Sequence, residues 1–285
     1  MLTAVRKDAF AEEVLGVVHL RPEGGSILKT NRRQAGFSLV ELALGLVIVA
    51  TLLSALLVPL ATQLDQRRTA ETQRLLEVAR EALYGFVVAQ DRFPCPATAG
   101  SNGAEAFATS PSAGNPNNGF CLSFRGFLPA ATLGLSPLDR EGFQTDAFGG
   151  DANRIRFAVA DVDFDPGNKL YTAAGKMRAL GMTVISSAPN RFSVCSTANT
   201  VAASGCPAGG VTLANGNAIA VVLSVGRNPE GRGDDENENL DLTAGNQVFV
   251  SRIQSDAAVN PFDDMLLWVS PNVLISRLAA AGKLP

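Results

Sequence analysis

Histidine is nearly missing from this chain: the only one, His19, stands ahead of a long apolar run. Beyond it no Ser-His-Asp or Cys-His arrangement can be assembled, and no imidazole can hold a metal. An excess of one charge is missing too. The net charge is -3, from 24 Lys and Arg against 27 Asp and Glu, which leaves no basic footprint for a nucleic acid. A hydrophobic content of 46% excludes a disordered chain. The four cysteines contain no C-x-x-C pair, which counts against zinc. No repeat of about 20 to 50 residues is present. Carboxylate-only chemistry remains open to the chain, with candidate pairs such as Asp161 with Asp163, or Asp263 with Asp264. Such pairs in loops are commonly solvated turns, and no enzyme is expected.

What the chain does have is a segment from Leu42 to Leu64 free of charge. At about 1.5 Å per residue, a helix of this length reaches roughly 35 Å, enough to cross a bilayer. A cleaved secretory signal has a shorter apolar core, about 7 to 15 residues. Arg6, Lys7, Arg21, Lys29, Arg32 and Arg33 all precede the run, so its start is expected on the cytoplasmic side and the C-terminal portion outside. After Pro59, where a kink is expected, Leu75, Leu76, Ala79, Ala82, Leu83, Phe86 and Val87 recur at helical steps between Arg74, Glu77, Arg80 and Glu81. An amphipathic helix therefore continues the apolar one and ends before Pro94.

One acid, Glu41, stands near the start of this greasy segment, in "GFSLVELALGLVIVATLLSALL". The stretch resembles the prepilin signature of type IV pilins and type II secretion pseudopilins. The resemblance implies a leader over residues 1–36, cut between Gly36 and Phe37 by a membrane prepilin peptidase that also methylates Phe37. It implies a transmembrane helix over 37–64, an amphipathic continuation over 65–92 and an extracytoplasmic domain over 93–285. It makes Glu41 the fifth mature residue, the acid that neutralises the terminal amine of an adjacent subunit during assembly. A lone carboxylate in hydrocarbon costs about 2.5 kcal/mol or more, so it needs such a partner or an escape to the interface; snorkelling to the headgroups is the other reading of Glu41. The leader is longer than in many members, and no methionine lies between Met1 and Met177, so a shorter product would need a different start codon, such as one at Leu28.

Past the helix, "PCPATAGSNGAEAFATSPSAGNPNNGFC" reads as a long loop. "RIRFAVA", "AIAVVLSVG", "NQVFVSRI" and "DMLLWVS" read as strands, and Ser270-Pro271 as the start of a terminal helix. The expected class is α+β: a long N-terminal helix packed on a mainly antiparallel sheet. Cys95, Cys121, Cys195 and Cys206 lie on the side expected outside the cytoplasm, where four cysteines allow three disulfide pairings. Proximity favours Cys95 with Cys121 and Cys195 with Cys206. In "GRGDDENENLD", Asp234, Asp235, Glu236, Glu238 and Asp241 offer oxygens to a calcium ion, which takes about six to eight, though without the EF-hand pattern. A solvated acidic turn uses the same residues. Calcium is thus the one cofactor considered.

The reading is a prepilin-like subunit, a minor component of a type IV pilus or type II pseudopilus, held in a bacterial inner membrane with its domain in the periplasm. Its partners are the prepilin peptidase and other pilin or pseudopilin subunits, with no nucleic acid. Two alternatives are a single-pass anchor presenting a binding domain and an anchored enzyme.

Overall fold

The structure is a computed structural model that describes Gly36 and residues 38–108, 118–165, 167–198, 204–243 and 245–284. The leader over 1–35 and Phe37 lie outside the described residues. The chain divides into two units, Met1–Ala55 and Leu56–Pro285.

One helix, α1 (Leu39–Gln90), contributes to both. In the first unit its described side chains are apolar nearly all round, and those of Leu39 to Ser54 are all exposed. Among the described residues no helix is long and apolar enough to cross a membrane. The described side chains of the uncharged run stop at Ser54 and resume at Thr62. The membrane-crossing helix expected over 37–64 is therefore not obtained as one described span, and the kink expected at Pro59 falls among side chains outside the described set.

In the second unit α1 is amphipathic. Thr72, Leu75, Leu76, Ala79, Leu83, Tyr84 and Val87 are buried at three- and four-residue steps, while Glu71, Arg74, Glu77 and Glu81 face solvent. Burying each large side chain in that stripe contributes about 1.5 to 3 kcal/mol. The helix stops at Gln90 because Asp91 turns to a φ of 54°.

The stripe belongs to one apolar core shared with a four-stranded antiparallel sheet. Its order is β1 (Arg125–Phe127), β2 (Arg156–Val159), β7 (Ala220–Ser224) and β9 (Met265–Val269). β7, read as a continuous apolar run, is buried at all five residues between two neighbours. The helix α5 (Pro271–Ala280) follows Ser270 with proline in its first turn and buries Leu274 and Leu278. A second sheet has the order β6 (Thr212–Ala218), β5 (Phe192–Cys195) and β8 (Val248–Val250), with β8 parallel to β5. β3 (Asp163–Asp165) and β4 (Asn168–Lys169) form a small ribbon. Three further helices are α2 (Ala130–Leu133), α3 (Lys176–Ser187) and α4 (Asp234–Leu240).

Arg125 ties the two sheets together. Its guanidinium lies 4.3 Å from the Phe249 ring centre and donates to the carbonyls of Asp241 at 2.6 Å and Asn246 at 2.7 Å. Burial lowers its pKa to about 10, so it remains a cation at neutral pH. Disulfides join Cys95 to Cys121 and Cys195 to Cys206, and no described cysteine is free. Each pins a stretch with little apolar surface of its own. Beside the first, Arg92 pairs with Glu105 through two hydrogen bonds of 2.7 and 2.8 Å.

Candidate functional site

Gly36 is exposed, and a Cβ built there meets nothing within 4 Å. Among the described residues nothing packs against this position. The backbone N–H of Leu42 donates to the Ser38 carbonyl at 3.0 Å, so helical bonding begins just past Phe37. This puts Glu41 in the first turn of α1, where a carboxylate faces the positive end of the helix dipole. Its side chain is exposed and makes no hydrogen bond or ion pair among the described residues. Around it Leu39, Val40, Leu42, Leu44 and Leu46 are exposed as well. A single unpaired acid thus begins a helical surface that water does not favour.

The acid-rich segment is a helix rather than the solvated turn its composition allows. Residues 234–240 form α4, and Asp235, Glu236 and Asn239 are buried. Asp235 accepts from Thr197 Oγ1 at 2.9 Å, the Ala198 amide at 2.7 Å, Arg252 Nε at 2.7 Å and Asn260 Nδ2 at 2.9 Å. Glu236 accepts from Asn228 Nδ2, the Arg232 amide and the Asp263 amide at 2.9, 2.7 and 3.0 Å. Glu238 and Asp241 both receive the side-chain amide of Asn246, and Asp234 faces solvent. α4 and its C-cap residue Asp241 direct Asp235, Glu236, Glu238 and Asp241 to these partners and leave Asp234 in solvent. Their polar satisfaction is what folds the segment.

A different convergence exists. Glu236, Asp263 and Asp264 each place an oxygen within 4.8 Å of the others. Burial, and then the neighbouring Glu236, push the Asp263 carboxyl up to about 6. Burial pushes Asp264 up to about 8, opposed by the 2.8 Å hydrogen bond from Asn239 Nδ2. Gly226 closes over this corner at a φ of 65°, where a Cβ would stand 2.1 Å from Asp263 Oδ1. The other sequence pair, Asp161 and Asp163, is bound by the buried Lys169 ammonium, at 2.8 Å for Asp163. It forms a salt-bridge knot and not a paired acid and base.

Residues 31–57 match the model of the prokaryotic N-terminal methylation motif. No curated protein and no solved structure matches the chain. The matched stretch holds Gly36, Phe37, Glu41 and the exposed apolar turns that follow, so this chain carries the N-terminal signature of the type IV pilins and pseudopilins.

Proposed function

We propose that the chain is a prepilin-like subunit, cut between Gly36 and Phe37 and assembled through α1 into a type IV pilus or type II secretion pseudopilus. The observation that carries this reading is the lone unpaired Glu41 at the start of an exposed apolar helix, inside the matched motif. After the cut, Phe37 gains a charged amine. In hydrocarbon that amine and the Glu41 carboxylate of a neighbouring subunit cancel each other's desolvation cost. The apolar turns insert in the inner membrane, and the disulfide-bearing domain stands in the periplasm, an oxidising compartment. A domain running from residue 93 to 285 is bulky for a densely repeated subunit, which favours a minor component. The role is structural rather than catalytic.

The test has two readouts on the native protein. Mass spectrometry is expected to find an N-terminus at Phe37 with an added methyl group, and to find uncut precursor when Gly36 is replaced by a bulky residue. Glu41→Ala is expected to reach the membrane normally and lose crosslinking to partner subunits. Normal crosslinking of that variant would leave a plain single-pass anchor as the better reading.

A further inference from the structure

Among the described residues of the second unit, the most exposed large apolar side chains lie on one loop, between β8 and β9. Ile253 is 90% exposed and Val259 is 85% exposed; the next beyond α1, Val211, is 62% exposed. The loop is a built structure. Ser255 and Phe262 exchange two backbone hydrogen bonds of 2.8 Å, closing a tip over residues 256–261, and Gln254 Nε2 donates to the Asp263 carbonyl at 3.1 Å. Among the described residues nothing covers Ile253 or Val259, and the tip is held out from a hydrogen-bonded base.

The location of this tip points to its occupant. Arg227 Nη2 holds Asp256 at 2.5 Å while its Nη1 stands 3.5 Å from Asp65 Oδ2. Asp65 is the first charge after the uncharged run that ends at Leu64. A cavity of about 460 Å³ there is lined by Thr62, Asp65 and Thr69 of α1 and by Gln254, Asp256 and Arg227. Arg227 leaves neither Asp65 nor Asp256 as a bare acid facing anionic lipid, and the exposed Arg232 lines the adjoining cavity with Asp256 and Phe262. Glu230 and Asp234 are exposed beside Arg232 in sequence, so the face is mixed and the apolar pair, more than charge, drives the contact.

We propose that the 253–261 loop seats in the headgroup layer of the membrane that α1 enters, with Ile253 and Val259 as its apolar anchors. The Asp256 end of the loop stands beside the end of the uncharged run of α1, while Ile253 lines a cavity with Gln73, Leu76 and Glu77 about three turns further along the helix, so the loop meets the headgroup layer from its outer side. Such a contact would set the orientation of the globular part before assembly. This rests on the membrane insertion of α1 argued above.

The full chain in vesicles of phosphatidylethanolamine and phosphatidylglycerol provides the test. Tryptophan is introduced by Ile253→Trp or Val259→Trp, with Val211→Trp as the control and the native Trp268 as a constant background. Both loop variants are expected to emit further to the blue in vesicles and to be quenched by lipids brominated near the glycerol end of the acyl chain, while Val211→Trp is not. Loop variants that float with the vesicles yet behave like the control would overturn the proposal and leave anchoring intact. A blue shift without bromine quenching would mark a protein contact instead and also overturn it. Failure of every variant to float would remove the anchoring and this inference together.

Discussion

Leu46 and Leu83 sit on one helix, yet Leu46 is 63% exposed and Leu83 is fully buried. Around Leu46 the described turns are apolar on every side, so no rotation of the helix hides them from water. Around Leu83 apolar residues keep to a stripe and charges take the rest. A helix apolar all round needs a different solvent, whereas a striped one needs a single packed neighbour. Among the described residues the apolar surface of the first part of α1 is left uncovered, and that of the second part is buried in a core. The polar groups follow the same division. Glu41 has no described partner, whereas the buried acids of the second unit are held by arginines, amides and asparagines.

The largest expected effect breaks that comparison at its centre. Leu83→Ala is expected to cost about 2 to 5 kcal/mol in urea unfolding of the full chain in detergent. Leu46→Ala is expected to stay within about 0.5 kcal/mol. Equal losses would show that the exposed half is packed within the same chain. Next come the disulfides, which lie wholly in the second unit. Replacing the pair Cys95 and Cys121 by alanines is expected to cost about 2 to 4 kcal/mol. The pair Cys195 and Cys206 is expected to cost less by under about 1 kcal/mol, because its separation is 11 residues against 26 and loop closure entropy grows slowly with length. Reversed order in the same urea assay would mean that local strain or residual structure outweighs loop length.

Much of the second unit was legible because its apolar residues are spaced locally. The α1 stripe, β2, β7, β9 and the proline-led α5 all carry their signal within about ten residues. β5, with four residues, and β6, whose centre is Asn215, Gly216 and Asn217, carry none. α4 misled because it is buried through hydrogen bonds to its carboxylates, and its sequence of acids and asparagines has no apolar period. Gly36, Phe37 and Glu41 were readable because the motif is contiguous. The grouping of Glu236 with Asp263 and Asp264 was not, since it depends on how the chain returns after β8, which no local pattern encodes.

A smaller effect comes from that grouping. Burial raises Asp264 to about 8 and Asp263 to about 6, so the folded protein binds protons that the unfolded chain releases near pH 4. This contribution is fully present below the ordinary carboxylate range and is lost as pH rises through about 6 and then about 8. Asp139 and Asp241 act the other way: their lowered pKa values stabilise the fold above that range and lose their effect in acid. The melting temperature is therefore expected to rise as pH falls from 8.5 to 5.5, with roughly 1.4 kcal/mol for each pKa unit that titrates in the window. Asp264→Asn removes the charge and keeps the shape, so it is expected to flatten the rise. An unchanged slope in that variant would place the titrating group elsewhere.

Calcium should matter least. An ion at the α4 acids would have to displace Arg252 from Asp235 and Asn246 from Glu238 and Asp241, losing hydrogen bonds that already satisfy them. Among the described residues the one group of three convergent carboxylates is Glu236, Asp263 and Asp264, and at pH 6 the proton held on Asp264 competes with any cation. Melts of the full chain at pH 6 in calcium, magnesium and chelator are expected to coincide. A calcium-specific rise at that pH, lost in Asp234→Ala, would restore the acid-rich segment as a clamp. At pH 8.5 Asp264 is mostly deprotonated and the competition weakens. A calcium-specific rise confined to pH 8.5, kept in Asp234→Ala and lost in Asp263→Asn, would instead identify the three-carboxylate corner as the ligand set. Its size would follow mass action, about 2.7 kcal/mol when free calcium is a hundredfold above the dissociation constant.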